Sequence, residues 1–264
     1  MKKKITRILG VVLTLVLLSS FLIVSAPVGA ATQAWGTFST PSATGMVLDT
    51  TITSADAFAQ SPVDGALYAA VTDVGPVYKL LKSTDSGRTW KSITTANLPA
   101  AAVAVVPSPV DANVVFYVDA NTLYRSNDGG VIFLVVLNAP AGELFTALDI
   151  AKWNGRYFAV VGTNNANASG GVLYWDENDI ANNLVTWGSV GSTFGLAVLS
   201  LSLAPTFNVD RAMVVIGVSG NTSVIRTNVN GGAWAAVIAN VVIGGGAAAP
   251  SAADIGYPTD FNIS

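Results

Sequence analysis

Acidic side chains are the first place to look for chemistry in a chain that has no histidine and no cysteine. Without histidine there is no Ser-His-Asp or Cys-His triad, no His-Glu-x-x-His zinc site and no histidine general base. Without cysteine there is no disulfide framework. Glutamate occurs only at Glu143 and Glu177. Glycoside cleavage by paired carboxylates needs two acidic groups facing each other across a cleft. Asp149, Asp176, Asp179 and Asp210 could pair in space, but their spacing signals nothing. Glu177, with Asp176 and Asp179 beside it, reads as a solvated loop. No Asp-x-Asp-x-Asp-Gly calcium loop occurs. The pairs Gly129-Gly130, Gly170-Gly171 and Gly231-Gly232 lack the strand-to-helix context of a phosphate loop. We therefore assign no catalytic, metal-binding or cofactor-binding residue, and expect no cofactor.

The acidic residues that do fall in a pattern suit a structural task. Ser83-Thr84-Asp85-Ser86-Gly87-Arg88-Thr89-Trp90 follows the pattern Ser-x-Asp-x-Gly-x-Thr-Trp throughout. Ser126-Asn127-Asp128-Gly129-Gly130-Val131-Ile132-Phe133 keeps the Ser, Asp and Gly, with Ile for Thr and Phe for Trp. Asn228-Val229-Asn230-Gly231-Gly232-Ala233-Trp234 has Asn230 in place of Asp and is one residue short before Trp234. An Asp side chain can accept N–H groups of its own turn. Glycine supplies the positive φ that such a turn needs, and the aromatic ring buries itself beside the turn. The spacing thus fixes a loop between two strands without any ligand. The expected turn residues are Ser83, Asp85, Gly87, Thr89 and Trp90; Ser126, Asp128, Gly130 and Phe133; and Asn230, Gly232 and Trp234.

These turns punctuate a repeat. Ser61-Pro62-Val63-Asp64 and Ser108-Pro109-Val110-Asp111 each precede a β-rich run, with the prolines 47 residues apart. Thr186-Trp187 looks like the end of a further unit, so the closing aromatics fall at 90, 133, 187 and 234. That period is the length of a four-stranded blade. Within one unit the pattern predicts strands over Val103–Val106, Val114–Val118, Thr122–Ser126 and Ile132–Leu137, and no long helix follows the N-terminal segment. Trp153 and Trp175 could stack on sugars, but are expected to pack between units. Gly256-Tyr257-Pro258-Thr259-Asp260-Phe261 echoes the opening Pro205-Thr206-Phe207 of the fourth unit. A fifth unit is therefore expected to open there and to continue beyond Ser264.

At these residues the chain resembles the BNR/Asp-box repeat proteins, over about residues 51–264. The resemblance implies an all-β fold, a β-propeller of four-stranded antiparallel blades with the boxes on outer hairpins. It implies about four blades and the start of a fifth. The family spans sialidases, xyloglucan-cleaving glycosidases, sorting receptors, a photosystem assembly factor and bacterial cell-surface proteins, so fold alone does not give function. Its sialidases need an Arg-Ile-Pro near the start, three arginines for a carboxylate and a Tyr–Glu nucleophile pair. No Arg-Ile-Pro occurs here; Arg88 lies inside a box and Arg125 directly before one, leaving Arg156, Arg211 and Arg226. We expect a non-enzymatic protein. The alternatives are a secreted glycoside hydrolase of sialidase or xyloglucanase type, and a carbohydrate- or protein-binding adhesin.

The N-terminus places the chain outside the cell. Lys2, Lys3, Lys4 and Arg7 precede an uncharged apolar run, Ile8–Val24, and Val28-Gly29-Ala30 offers a small-residue cleavage site. Residues 1–30 are read as a signal peptide, with an uncleaved membrane anchor as the alternative, 31–50 as a lead-in strand centred on Trp35–Phe38, and 51–264 as the repeat array. Loss of that segment leaves nine basic against 16 acidic side chains, so the net charge falls from −3 to −7. An acidic chain does not track phosphates, which argues against nucleic acid. Only 11% of residues are charged, against roughly 25% in average chains, yet 51% are hydrophobic. That balance is a folded chain, not a disordered one. Export, repeats and low lysine point to a secreted or cell-surface protein of the envelope, surface-layer-like. Its partners would be further copies of itself, other envelope proteins or surface glycans, with membrane contact only through the signal peptide. Asn167, Asn221 and Asn262 fit the glycosylation triplet.

Overall fold

The computed structural model describes residues 51–94, 98–164, 171–179, 183–187, 194–219, 222–241 and 251–257. All belong to one unit, Ala43–Ser264. The signal peptide, Trp35–Phe38, Asn167, Asn221 and Asn262 lie outside the described residues.

Among the described residues, sixteen strands form four antiparallel sheets of four, each a meander of consecutive strands. The first sheet holds β1 (Ile52–Gln60), β2 (Leu67–Asp73), β3 (Val77–Ser83) and β4 (Lys91–Ser92). The second holds β5 (Ala104–Pro107), β6 (Val115–Val118), β7 (Thr122–Ser126) and β8 (Leu134–Asn138). The third holds β9 (Phe145–Trp153), β10 (Arg156–Thr163), β11 (Val172–Asp176) and β12 (Val185–Thr186). The fourth holds β13 (Ala197–Leu203), β14 (Met213–Ser219), β15 (Thr222–Asn228) and β16 (Ala235–Val241). One helical turn, α1 (Phe207–Asp210), lies between β13 and β14. The second unit's strands agree with the sequence pattern to within two residues at each end.

The sheets stack face to face, and this explains the apolar runs. A strand covered on both faces needs no polar alternation. On β6, Phe116 and Val118 turn toward Tyr157, Ala159 and Val161 of the third sheet. Val115 and Tyr117 turn the other way, toward Tyr68, Ala70 and Leu80 of the first. Phe158, Val160 and Val172 then meet Val198, Leu201, Met213 and Val215 of the fourth. A one-residue slip of β6 would exchange both sets at once. Trp175 packs in the layer between the second and third sheets and Trp153 in the next, as expected. Some layers are close enough to demand glycine: a Cβ on Gly162 would sit 2.4 Å from Val198 Cγ1.

First strands of successive sheets lie side by side, β1 by β5, β5 by β9 and β9 by β13. Last strands lie outermost, and β8 leaves Leu134 and Val135 exposed. Among the described residues β13 has no comparable packing with β1. The four sheets therefore form an open arc.

Candidate functional site

Two hairpin turns are closed by their own side chains. Between β3 and β4, Ser83 donates its hydroxyl to Asp85 Oδ1 at 2.8 Å and accepts the Gly87 N–H at 2.9 Å. Asp85 accepts the Thr89 N–H at 2.8 Å and the Thr89 hydroxyl at 2.6 Å. The Thr89 hydroxyl first, then the Thr89 N–H and the Ser83 hydroxyl, hold the Asp85 carboxyl down to about 2. Trp90 Nε1 donates to the Gly87 carbonyl at 3.1 Å. Between β7 and β8 the arrangement recurs. Ser126 donates to Asp128 at 2.7 Å and accepts the Gly130 N–H at 2.9 Å. Asp128 accepts the Val131 and Ile132 N–H groups, each at 3.0 Å. The Ser126 hydroxyl, then the Ile132 N–H, lower its pKa. Ser126 is 1% exposed. Ser126→Ala should cost about 1–3 kcal/mol, because the Gly130 N–H loses its acceptor in a buried turn. Urea melts of the variant check this; an unchanged midpoint would show that the hydroxyl is dispensable.

The turn between β15 and β16 is built differently. In the first two turns a left-handed pair, Ser86-Gly87 and Gly129-Gly130, precedes the aromatic by four and three residues. In the third turn that pair is Asn230-Gly231, so Gly231 rather than Gly232 takes the place of Gly87. The missing residue shortens the turn on its Asn228 side. Asn230 does not fold back on its turn: its side-chain oxygen accepts Arg211 Nε at 3.0 Å, and its N–H goes to the Asp210 carbonyl. Asn228 closes the turn instead, donating Nδ2 to the Gly232 carbonyl at 2.7 Å.

Trp187 departs from the repeat. Trp90, Phe133 and Trp234 each directly precede the last strand of their sheet, whereas Trp187 follows β12. Phe133 packs in the layer between its sheet and the preceding one, and Trp234 likewise. Trp187 packs in the layer shared with the following sheet, 3% exposed, and donates Nε1 to Asn228 Oδ1 at 3.0 Å. The other three rings are half-buried, less enclosed than expected from sequence.

The remaining carboxylates are engaged one by one. Glu177 is not a solvated loop residue: it accepts Arg125 Nη1 of the second sheet at 2.6 Å and the Tyr157 N–H at 2.9 Å. Burial opposes its charge, but these partners outweigh burial and lower its pKa. Asp176 lies 3.3 Å from Arg156 Nε and accepts the Asn178 N–H. Asp210 takes the Thr206 hydroxyl and the Ala212 N–H. Asp149, on β9, accepts the Leu203 and Ile150 N–H groups, each at 2.8 Å, and the Ser202 hydroxyl at 3.4 Å. The residue is partly exposed, but its carboxyl is enclosed, and that burial pushes it up to about 6. Among the described residues no three acidic side chains are grouped to hold a metal ion.

A cleft of about 320 Å³ opens between the third and fourth sheets. Trp153, Arg156, Tyr174, Trp187, Arg211 and Asn230 are among its lining residues. It lies at the end of the sheets where β9 turns into β10 and β15 into β16. Sequence reasoning did not single out this grouping, because its residues come from five separate segments.

No family model matches the chain, and no curated protein matches it. Solved structures do. A GH74 enzyme of Niastella koreensis superposes with a TM-score of 0.55 at 17% identity, over 70% of this chain and 30% of the enzyme. An ancestral GH74 enzyme gives 0.51 at 14% identity, over 70% and 27%. The K499G mutant of NanB sialidase from Streptococcus pneumoniae gives 0.42 at 17% identity, over 61% and 26%. The fold is a β-propeller arc. The chain spans less than a third of each of these proteins, and at such identities the likeness to the GH74 enzymes is one of fold. Within that arc the cleft sits between two adjacent blades, on the same end as the side-chain-closed turns.

Proposed function

We propose that this propeller is an exported, non-catalytic member of the Asp-box repeat class, with a structural or interaction role in the cell envelope. The observation that carries the proposal is the use made of its carboxylates. Asp85 and Asp128 are bound within their own turns. Glu177 ties two blades together and Asp149 ties two inner strands. A glycosidase reading draws on the GH74 likeness, but it requires two acidic groups poised across a cleft. Here Asp176 and Asp210 are each taken up by neighbours of their own. The lysine-poor composition and the signal-like N-terminus support a place outside the cell.

The test has two arms. The full-length chain is incubated with sialosides and with β-glucans, and cells producing it are fractionated into medium, envelope and cytoplasm. No turnover, with the chain retained in the envelope fraction, is the expected result. Clear turnover that survives purification would overturn the non-catalytic role; recovery from the cytoplasm would overturn the location.

A further inference from the structure

We propose that the cleft between the third and fourth blades binds a carboxylate-bearing sugar, a hexuronic acid unit of an acidic polysaccharide. The cleft carries two guanidiniums, Arg156 and Arg211, against one carboxylate, Asp176. That local excess of positive charge stands in a chain of net charge −3. It favours an anion at this place while the protein as a whole repels polyanions elsewhere.

The two arginines are held in place before any ligand arrives. Arg211 sits at the C-terminal cap of α1 with φ 51°, a left-handed backbone that a non-glycine residue adopts at a cost. Its guanidinium is anchored on the Asn230 side chain by Nε and on the Asn230 carbonyl by Nη2, each at 3.0 Å. Arg156 is placed by Asp176 at 3.3 Å. Both lie over the Trp153 ring, at 5.4 Å and 4.9 Å from its centroid, close enough for cation–π attraction. A planar guanidinium offers paired N–H groups that match the two oxygens of a carboxylate.

The rest of the lining suits a sugar ring better than a peptide. Tyr174 meets Trp187 edge to face at 5.2 Å and Trp153 meets Phe158 likewise at 5.5 Å, so the two outer rings are held by two buried ones. Trp153 and Tyr174 are half-buried, the two rings of the lining that keep some exposure. Tyr174 can pack against the C–H groups of a pyranose, Trp153 backs the two guanidiniums, and Thr186 and Asn230 add polar groups to the lining. The volume of about 320 Å³ lies at the lower end of small-molecule sites, roughly 300–1,000 Å³. It admits a short saccharide segment and excludes a helix. Residues from both blades line the cleft, so an occupant would also clamp them together and raise the melting temperature by mass action.

Calorimetric titration of the full-length chain with four probes decides the matter: trigalacturonate, its methyl ester, cellotriose and triglutamate. Trigalacturonate is expected to bind and to raise the melting temperature. The ester and cellotriose should bind about tenfold or more weakly, since each lacks the charge. Arg156→Gln and Arg211→Gln should each weaken trigalacturonate binding by about tenfold or more. Arg211→Lys keeps a cation if the Asn230 contacts prove necessary for folding, and should still weaken binding, because the fork is lost. Absence of trigalacturonate binding would overturn the proposal, as would affinity unchanged in the folded arginine variants. Equal affinity for triglutamate would also overturn it, leaving a general anion site. None of these failures bears on envelope retention or on turnover, which test the proposed function separately.

Discussion

Trp187→Ala should lose about 3–5 kcal/mol of unfolding free energy, the range for a buried aromatic truncated to alanine. Trp187 is 3% exposed and touches Tyr174 at 5.2 Å and Phe207 at 5.8 Å between ring centroids. Its Nε1 also satisfies Asn228, a polar residue 1% exposed that closes the third turn. Trp187→Phe separates the two contributions: it keeps much of the ring but withdraws the donor, and should cost about 1–3 kcal/mol. Trp90→Ala should cost less than Trp187→Ala, because Trp90 is half-buried, packing on Ala69, Val71 and Leu81 and against the exposed ring of Phe58. Chemical melts of the three variants check the order. A smaller loss for Trp187→Ala than for Trp90→Ala would mean that the third and fourth sheets are held together by other contacts.

That ordering runs against the repeat as the sequence presents it, where the four closing aromatics look equivalent. The first two turns were legible because their chemistry is local: Ser, Asp and Gly within five residues complete the hydrogen bonds, whatever surrounds them. Strand positions were legible for a related reason, since glycine, proline and aspartate clusters bound each apolar run. The third sheet was misread where distance matters. Thr186-Trp187 copies the Thr-Trp pair of Thr89-Trp90, but nothing local reveals on which side of β12 the ring falls. That depends on the pairing of Leu173 with Thr186, which places Trp187 opposite Val172 and toward the fourth sheet. The roles of Glu177 and Asn230 were hidden likewise, because their partners Arg125 and Arg211 lie 52 and 19 residues away. The cleft could not be read at all. Its arginines and aromatics are scattered along the chain, and only the stacking of two blades brings them together.

Between about pH 4 and pH 7 the stability of this protein should fall as pH rises, and Asp149 should be the cause. Its folded pKa of about 6 lies above the ordinary 3.8. The folded state therefore keeps a proton that the unfolded chain gives up. The resulting stability is fully present below the unfolded value and is lost as pH climbs through about 6. A displacement of about two pKa units corresponds to about 3 kcal/mol at pH 7. Burial opposes the charge of Glu177, but the Tyr157 N–H and Arg125 outweigh it and hold the carboxyl below its ordinary 4.5, so Glu177 works the other way only at the acid end of this window. The chain has no histidine. Asp73 and Asp85 are held down to about 2, by the Lys79 ammonium and the Thr89 hydroxyl respectively. Their stabilising effect is present above 3.8 and disappears only as pH falls toward 2. Tyr257 donates to the Ser202 carbonyl beside Asp149 and is itself pushed up to about 12, first by burial and then by the Asp149 charge. It stays protonated throughout. Asp149→Asn should flatten the slope between pH 4 and pH 7. Below about pH 6 the folded chain keeps a neutral carboxyl, whose hydroxyl oxygen can still accept a second N–H; the amide has one acceptor oxygen, so either the Leu203 or the Ile150 N–H is left unpaired. The variant should therefore lose stability at low pH while converging on the wild type, or overtaking it, at pH 7. Urea melts of both chains at half-unit pH steps measure this. A wild-type profile flat over that range, or the same slope in Asp149→Asn, would show that β9 and β13 hold Asp149 ionised at no cost.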